Sequence, residues 1–197
     1  MIAPALILAA GRGTRMGSPK ALMDCYGTPW WTIQLDRLHA ACVESVWIVS
    51  PAVEAVLSIG SLAPATRVIA DSSKPMFASI LAGIDTVRDR RPSGIYILPI
   101  DVPASSDPKL WQALRSTQLP TAPTFRGKRG HPVFLPWNWI VSTLDLAVHA
   151  SDKLRLDELI RPTLLEIPVN DPGIACNLNT PEDLRLFLEP PDSDTPA

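Results

Sequence analysis

The sequence predicts a doubly wound α/β domain with a mostly parallel sheet, and three observations carry that prediction. Four short runs, Ala5–Ala9, Ser45–Ser50, Arg67–Asp71 and Gly94–Asp101, are continuously apolar through their middles and rich in β-branched residues. Such runs are expected of strands covered on both faces. Amphipathic segments separate them, so strand and helix alternate along the chain. The first strand also runs straight into a glycine-rich loop, at the edge where open α/β sheets bind ligands.

Taken in order, the first strand is followed by the loop and then by Thr28-Pro29, which reads as an N-cap with proline at the first helical position. Trp31, Leu35, Leu38 and Cys42 then share one helical face. A similar stripe, Ile80, Ile84 and Val87, follows Pro75. The second half is less regular. Thr124–Arg126 and Val133–Leu135 read as short strands flanking the basic loop Gly127–His131, with helices over Trp137–Val148 and Asp152–Ile160 and a strand over Leu164–Val169. The last helix has a sharp start, with Thr180 as N-cap, Pro181 at N1 and Asp183 completing a capping-box pattern. Its apolar face carries Leu184, Phe187 and Leu188.

A chain of 197 residues is long enough for one sizeable core, and residues 1–189 read as a single domain. The acidic, proline-rich residues 190–197 read as a disordered tail. With 46% hydrophobic and 19% charged residues the composition suits a soluble globular protein. A net charge of −2 offers no global attraction to nucleic acid or to an acidic membrane, so neither is an expected partner. Any phosphate must be held by local charge. The three cysteines, Cys25, Cys42 and Cys176, have no metal-knuckle spacing and point to reduced thiols and the cytoplasm. The apolar start, Ile2 to Ala10, lacks a basic lead and is too short to span a bilayer.

The loop itself, LILAAGRGTRMGSPK over Leu6–Lys20, is built to hold a polyphosphate. Glycines let backbone N–H groups approach one anion closely, and Arg12, Arg15 and Lys20 add full positive charges around the same space. Three nucleotide loops compete. The P-loop requires Ser or Thr after Gly-Lys, whereas Lys20 lies between Pro19 and Ala21. The dinucleotide fingerprint fits Gly11 and Gly13 but meets Met16 at its third glycine. A dehydrogenase is further disfavoured by Ser50-Pro51 where an acidic residue would end the second strand. The third pattern, L-A-A-G-x-G-x-R-M-x-x-x-K, is met by Leu8, Ala9, Ala10, Gly11, Gly13, Arg15, Met16 and Lys20.

On this signature, together with LPIDVP around Asp101, RGHPVF around His131 and NLNTPEDL from Asn177, the chain resembles the MobA-like nucleotidyltransferases. The molybdenum cofactor cytidylyl- and guanylyltransferases are the best-known members. The resemblance implies a three-layer, Rossmann-like fold of the nucleotide-diphospho-sugar transferase type. It implies transfer of a nucleoside monophosphate from an NTP to a phosphorylated acceptor such as molybdopterin, with magnesium as cofactor and pyrophosphate released. The physical problem in such a reaction is charge, because an anion attacks an anion while charge builds on the leaving group. No histidine base is expected, since a phosphate monoester is already ionised near neutral pH.

The resemblance places Arg15, Lys20 and Asp101 in catalysis. Ala9, Ala10, Gly11, Arg12, Gly13, Arg15, Lys20, Asp71 and Ser79 are expected to bind the nucleotide. Asp101 and Asn179 are expected to hold the metal, and His131 and Arg129 to face the acceptor, with Lys128 adding charge. Asp101 follows an apolar strand, so its carboxylate emerges at the strand's carboxyl end; the competing reading is a turn aspartate ahead of Pro103. Asn179 stands where many relatives carry an aspartate, and Ile100 where a glycine is frequent. Ala10, a glycine in many guanylyl-transferring relatives, favours CTP, whereas the Asn177-x-Asn179 pattern matches the guanylyl branch. A sugar phosphate or another small metabolite remains an alternative acceptor, and a catalytically silent nucleotide-binding protein an alternative function. No motif identifies a delivery partner enzyme.

Overall fold

The computed structural model describes residues 2–11, 18–59, 63–148 and 154–189. Strand β1 (Ala5–Ala9) is buried at all five positions. After a 3-10 turn over Lys20–Leu22, a small antiparallel ladder pairs β2 (Asp24–Cys25) with β3 (Thr28–Pro29). Then follow α1 (Trp30–Ala40), β4 (Ser45–Val49), α2 (Pro51–Leu57), β5 (Thr66–Ile69), α3 (Met76–Val87), β6 (Gly94–Pro99) and α4 (Pro108–Arg115). The second half holds β7 (Thr121–Phe125), β8 (Lys128–Arg129), β9 (Val133–Pro136), α5 (Trp137–Trp139), α6 (Asp145–Val148), α7 (Leu156–Ile160), β10 (Leu165–Pro168) and α8 (Pro181–Leu188).

The main sheet runs β10-β7-β9-β6-β1-β4-β5, with β8 paired to β7. Strands β6, β1, β4 and β5 are parallel to one another, and β9 enters antiparallel beside β6. The chain winds outward from β1 through β4 to β5 and then returns to the other side of β1 as β6. That reversal opens a crevice past the carboxyl ends of β1 and β6, where a ligand can enter between the diverging connections.

Alternation along the central strands divides the core in two. Ala5, Ile7 and Ala9 of β1 join Tyr96 and Leu98 of β6 in a cluster with Trp30 and Leu38 of α1, Trp111 of α4 and Leu184 of α8. Leu6 and Leu8 join Ile95 and Ile97 on the opposite face, against Ile80 and Ile84 of α3 and Ile160 of α7. Each fully buried aliphatic side chain is worth about 1.5–3 kcal/mol of transfer free energy, so the β1–β6 pair is anchored from both faces. That anchorage makes the crevice a rigid frame.

Several sequence expectations shift locally. Helix α1 begins at Trp30, one residue later than expected, with no side-chain cap. Thr28 and Pro29 belong instead to β3, and Trp30 N donates to Met23 O at 2.8 Å, taking up a free helix-end donor. Cys42 is exposed with φ +55° and lies beyond the helix, so Ala41 and Val43 occupy the core there. Strand β5 stops at Ile69, leaving Asp71 in the following loop. The segment from Trp137 is helical as expected but passes through a π-helical turn over Ile140–Leu144. Helix α7 starts only at Leu156, and residues 151–153 and the tail 190–197 lie outside the described residues.

The last helix starts as the sequence predicts. Thr180 Oγ1 accepts from Asp183 N at 3.0 Å, and Asp183 Oδ2 accepts from Thr180 N at 2.8 Å and from Asn179 N at 2.9 Å. The same box therefore holds the Asn179 backbone. Thr180→Ala is expected to lower folding stability by about 1 kcal/mol, read as a shift in the urea midpoint at unchanged slope.

Candidate active site

The site forms where β1 and β6 end. A cleft of about 280 Å³ is lined by Leu8, Ala9, Ala10, Gly11, Lys20, Asp71, Ser79 and Asp101, among others. Seven of the sequence-predicted site residues thus converge on one space. Among the described residues, Gly11 has no protein atom within 4 Å of where a Cβ would sit, and the glycines with positive φ are Gly27 and Gly127. The space beside Gly11 leaves its backbone open to close approach by a ligand. Arg12, Gly13 and Arg15 lie outside the described residues.

Lys20, Asp101 and Asn179 meet at the head of the cleft. Lys20 Nζ donates to Asp101 Oδ2 at 2.7 Å and to Asn179 Oδ1 at 2.7 Å, across 81 and 159 residues of chain. The side chains of Lys20 and Asp101 are 22% and 25% exposed, so the pair is shielded but reachable from the cleft. Two oxygens from distant segments are therefore aimed at one cationic atom. Asn179 Nδ2 donates to Asn177 O at 3.3 Å, which turns its carbonyl oxygen toward Lys20. The Asp101 turn is itself fixed from two sides. Leu178 N donates to Asp101 O at 2.7 Å, and Trp30 Nε1 donates to Ile100 O at 2.7 Å.

This donor set fits magnesium. One carboxylate and one amide oxygen are hard donors, and magnesium commonly takes one or two carboxylates and completes its shell with water and substrate phosphates. No cluster of three or more His, Cys, Asp or Glu residues exists among the described residues. The described residues thus offer no closed structural site of the zinc kind.

Asp71 sits at the rim of the cleft, with Oδ1 accepting from Ser73 N at 2.8 Å and Ser73 Oγ at 2.6 Å. Ser79 is buried in the first turns of α3. Ser72, Lys74 and Met76 also line the cleft, and sequence reasoning missed them. Lys74 is exposed and immediately precedes the α3 start, Pro75-Met76; a lysine before a helix is too common for its placement to be read from sequence.

His131 and Arg129 line a second cavity of about 670 Å³ that shares Leu8, Met76 and Pro99 with the cleft. The two spaces are neighbours, as a nucleotide and an acceptor require. The walls of the larger one are mostly apolar, with Phe77, Ile80, Ile97, Val133 and Leu156 among them. Arg129 Nε is paired with Glu166 Oε1 at 3.1 Å, so an acceptor phosphate would compete with that carboxylate. Gly130 permits a close backbone crossing, since a Cβ there would strike the Ile174 carbonyl, which accepts instead from His131 N at 2.9 Å.

Burial pushes the His131 imidazole below the usual histidine range, against smaller opposing effects of the Ile97 carbonyl and Asp101. His131 Nδ1 lies 3.4 Å from Ile97 O, and a carbonyl can only accept, which places the proton on Nδ1 and leaves Nε2 as an acceptor. The depressed value means that the unfolded chain binds this proton more readily than the folded one. Stability is accordingly full above about pH 6.5 and is lost as the pH falls through that value toward the lower folded one. Denaturation midpoints measured from pH 8 to 5 are expected to fall below about 6.5, and less steeply in His131→Gln.

Residues 5–163 match the MobA-like NTP transferase domain. The chain belongs to the MobA-like NTP transferase family. It is a nucleotidyltransferase of the MobA-like type, and its mixed sheet with flanking helices is the fold expected of one. Among MobA-like relatives, the molybdenum cofactor guanylyltransferase of Rhodopseudomonas palustris is 30% identical over 96% of this chain and 94% of its own. That of Rhizobium meliloti is 29% identical over 92% and 88%. The crystal structure of Rv0371c from Mycobacterium tuberculosis superposes with a TM-score of 0.74 at 22% identity, covering 96% of this chain and 99% of that one. Among the described residues, no helix of this MobA-like chain is long and apolar enough to cross a membrane.

Proposed function

We propose that this enzyme transfers GMP from GTP to a phosphate of a molybdopterin-type acceptor, with magnesium, releasing pyrophosphate in the cytoplasm. The observation that carries the chemistry is the convergence of Asp101 and Asn179 oxygens on Lys20 Nζ, each at 2.7 Å, beside the open backbone of Gly11. In the step, an acceptor phosphate oxygen forms a bond to the α-phosphorus. The bond from that phosphorus to the β-phosphate oxygen breaks, and its electron pair leaves with pyrophosphate.

As the triphosphate enters, the Lys20 ammonium exchanges its carboxylate and amide partners for phosphate oxygens. Asp101 and Asn179 would then hold magnesium, which supplies charge neutralisation for the leaving group. Gly11 brings its backbone close to the phosphates, and Asp71 meets the base from the cleft rim. The neutral imidazole of His131 accepts a hydrogen bond from the acceptor in the adjoining cavity, and Arg129 turns from Glu166 toward the acceptor's phosphate.

The base is read as guanine in place of the cytosine that Ala10 suggests. Both full-length relatives above are named guanylyltransferases. Ala10 is only 7% exposed and packs in the core cluster under α3, so its identity answers first to packing. The acceptor-only carboxylate of Asp71 suits the two adjacent donors on the guanine edge, whereas cytosine offers one amino group.

The deciding assay incubates the protein with GTP, CTP, ATP or UTP, magnesium and molybdopterin, and measures pyrophosphate. GTP is expected to support release at least tenfold faster than CTP, the discrimination of about 1.4 kcal/mol that one good base contact supplies. Faster release with CTP would restore the cytosine reading. Release with a sugar phosphate but not with the pterin would overturn the acceptor. Nucleotide binding that ignores magnesium, with no release, would overturn the enzyme reading.

A further inference from the structure

We propose that Gln34 is a positioning residue for Asp101; this rests on the reading of Asp101 as a catalytic group. Gln34 is fully buried on α1, in a stripe whose other members include Trp31, Leu35 and Leu38. A buried amide is costly unless its donors and acceptor are all paired. Among the described residues, every hydrogen bond of the Gln34 side chain goes to the segment that carries Asp101. Its Nε2 donates to Val102 O at 2.8 Å and more weakly to Ile100 O at 3.4 Å, while its Oε1 accepts from Ala104 N at 2.8 Å.

Gln34 is the centre of a row. Four residues earlier Trp30 Nε1 donates to Ile100 O at 2.7 Å, and three residues later Arg37 Nε donates to Ala104 O at 2.5 Å. Positions 30, 34 and 37 share one helical face. They meet the carbonyls of alternate residues 100, 102 and 104. Between the first two, the Asp101 carbonyl is bonded to Leu178 N at 2.7 Å, next to Asn179. The Asp101 peptide is therefore clamped between α1 and the loop that supplies the second oxygen to Lys20.

The three members of the row are not equivalent. Trp30 is also a fully buried core side chain that packs edge-on against Phe187 at 6.2 Å, so its loss would disturb the core. Arg37 stacks over Phe187 at 5.2 Å and reaches only the far end of the segment. Gln34 alone both donates to and accepts from the segment. A methionine of similar volume would fill the same space while leaving Val102 O and Ala104 N without their side-chain partner.

The test compares wild type with Gln34→Met, and with Gln34→Glu should the first fail to fold. The readouts are steady-state pyrophosphate release, Mn²⁺ binding by electron paramagnetic resonance in the presence of a non-hydrolysable GTP analogue, and thermal midpoint. Removing a partner that orients a metal-facing group is expected to weaken Mn²⁺ binding and kcat by about 10- to 100-fold, with KM for the nucleotide within about threefold of wild type. Wild-type Mn²⁺ affinity and kcat in a folded variant, with only a lowered thermal midpoint, would overturn the proposal and make Gln34 a packing residue. The Mn²⁺ measurement needs no turnover. Weakened Mn²⁺ binding in the variant beside an inactive wild type would sink the reaction assigned above and leave the positioning role standing.

Discussion

Asp101→Ala is expected to lower kcat by about 10³-fold or more, at the upper end of what one electrostatic contact in a reacting site supplies. Among the described residues, Asp101 brings the only carboxylate that meets Lys20, and the remaining oxygen, from Asn179, is a neutral amide. Losing it removes the negative charge that would hold magnesium against the triphosphate. The fold should be nearly untouched. The Lys20–Asp101 pair is about a quarter exposed, and leaving Lys20 with Asn179 alone is expected to lower stability by about 1–3 kcal/mol without unfolding the chain. The main-chain bonds that place residue 101, from Trp30 to Ile100 O and from Leu178 to its own carbonyl, do not involve the carboxylate. Single-turnover pyrophosphate release beside a denaturation curve separates the two effects. A variant that unfolds early yet retains kcat would reverse the assignment, making Asp101 a structural residue.

Lys20→Ala should produce a split result. Its kcat/KM for the nucleotide is expected to fall by about 10²- to 10³-fold, because a full charge is lost where phosphate charge accumulates. Its affinity for Mn²⁺ without nucleotide should rise, because the ammonium now bonded to Asp101 and Asn179 no longer competes for their oxygens. Lys20→Arg should rescue little, since a planar guanidinium cannot replace a compact ammonium seated between two converging oxygens. Titrating Mn²⁺ into the two variants and the wild type by electron paramagnetic resonance reads this directly. Equal Mn²⁺ affinity in all three would mean that the lysine does not occupy the cation position.

Much of the frame was legible because one residue pattern served one structural end. The unbroken apolar runs at Leu6–Ala9 and Ile95–Leu98 admit no solvent face, and both became central strands. Ile80, Ile84 and Val87 are all buried on α3, and Thr180 with Asp183 forms the capping box. Lys20, Asp101 and Asn179 were named from separate motifs, and the fold brings them to hydrogen-bond distance. Other features answer to contacts that no local pattern carries. Thr28-Pro29 has the chemistry of a helix start, but pairing with Asp24-Cys25 competes and wins. Gln34 drew no reading from the sequence, because its purpose depends on a segment 66–70 residues away. The signal was present as a glutamine where leucine would serve, but only the partner gives it meaning. Ala10 is weak ground for choosing the base for a related reason, since a buried methyl reports its packing as much as any ligand.

The most direct measurement is a crystal structure with Mn²⁺ and a non-hydrolysable GTP analogue, the metal located by its anomalous signal. The expected result is a manganese bonded to Asp101 and Asn179 oxygens, with Lys20 Nζ moved from its 2.7 Å contacts onto the phosphates. A manganese bound elsewhere, with the Lys20–Asp101 pair intact and the triphosphate outside the cleft past β1 and β6, would contradict it.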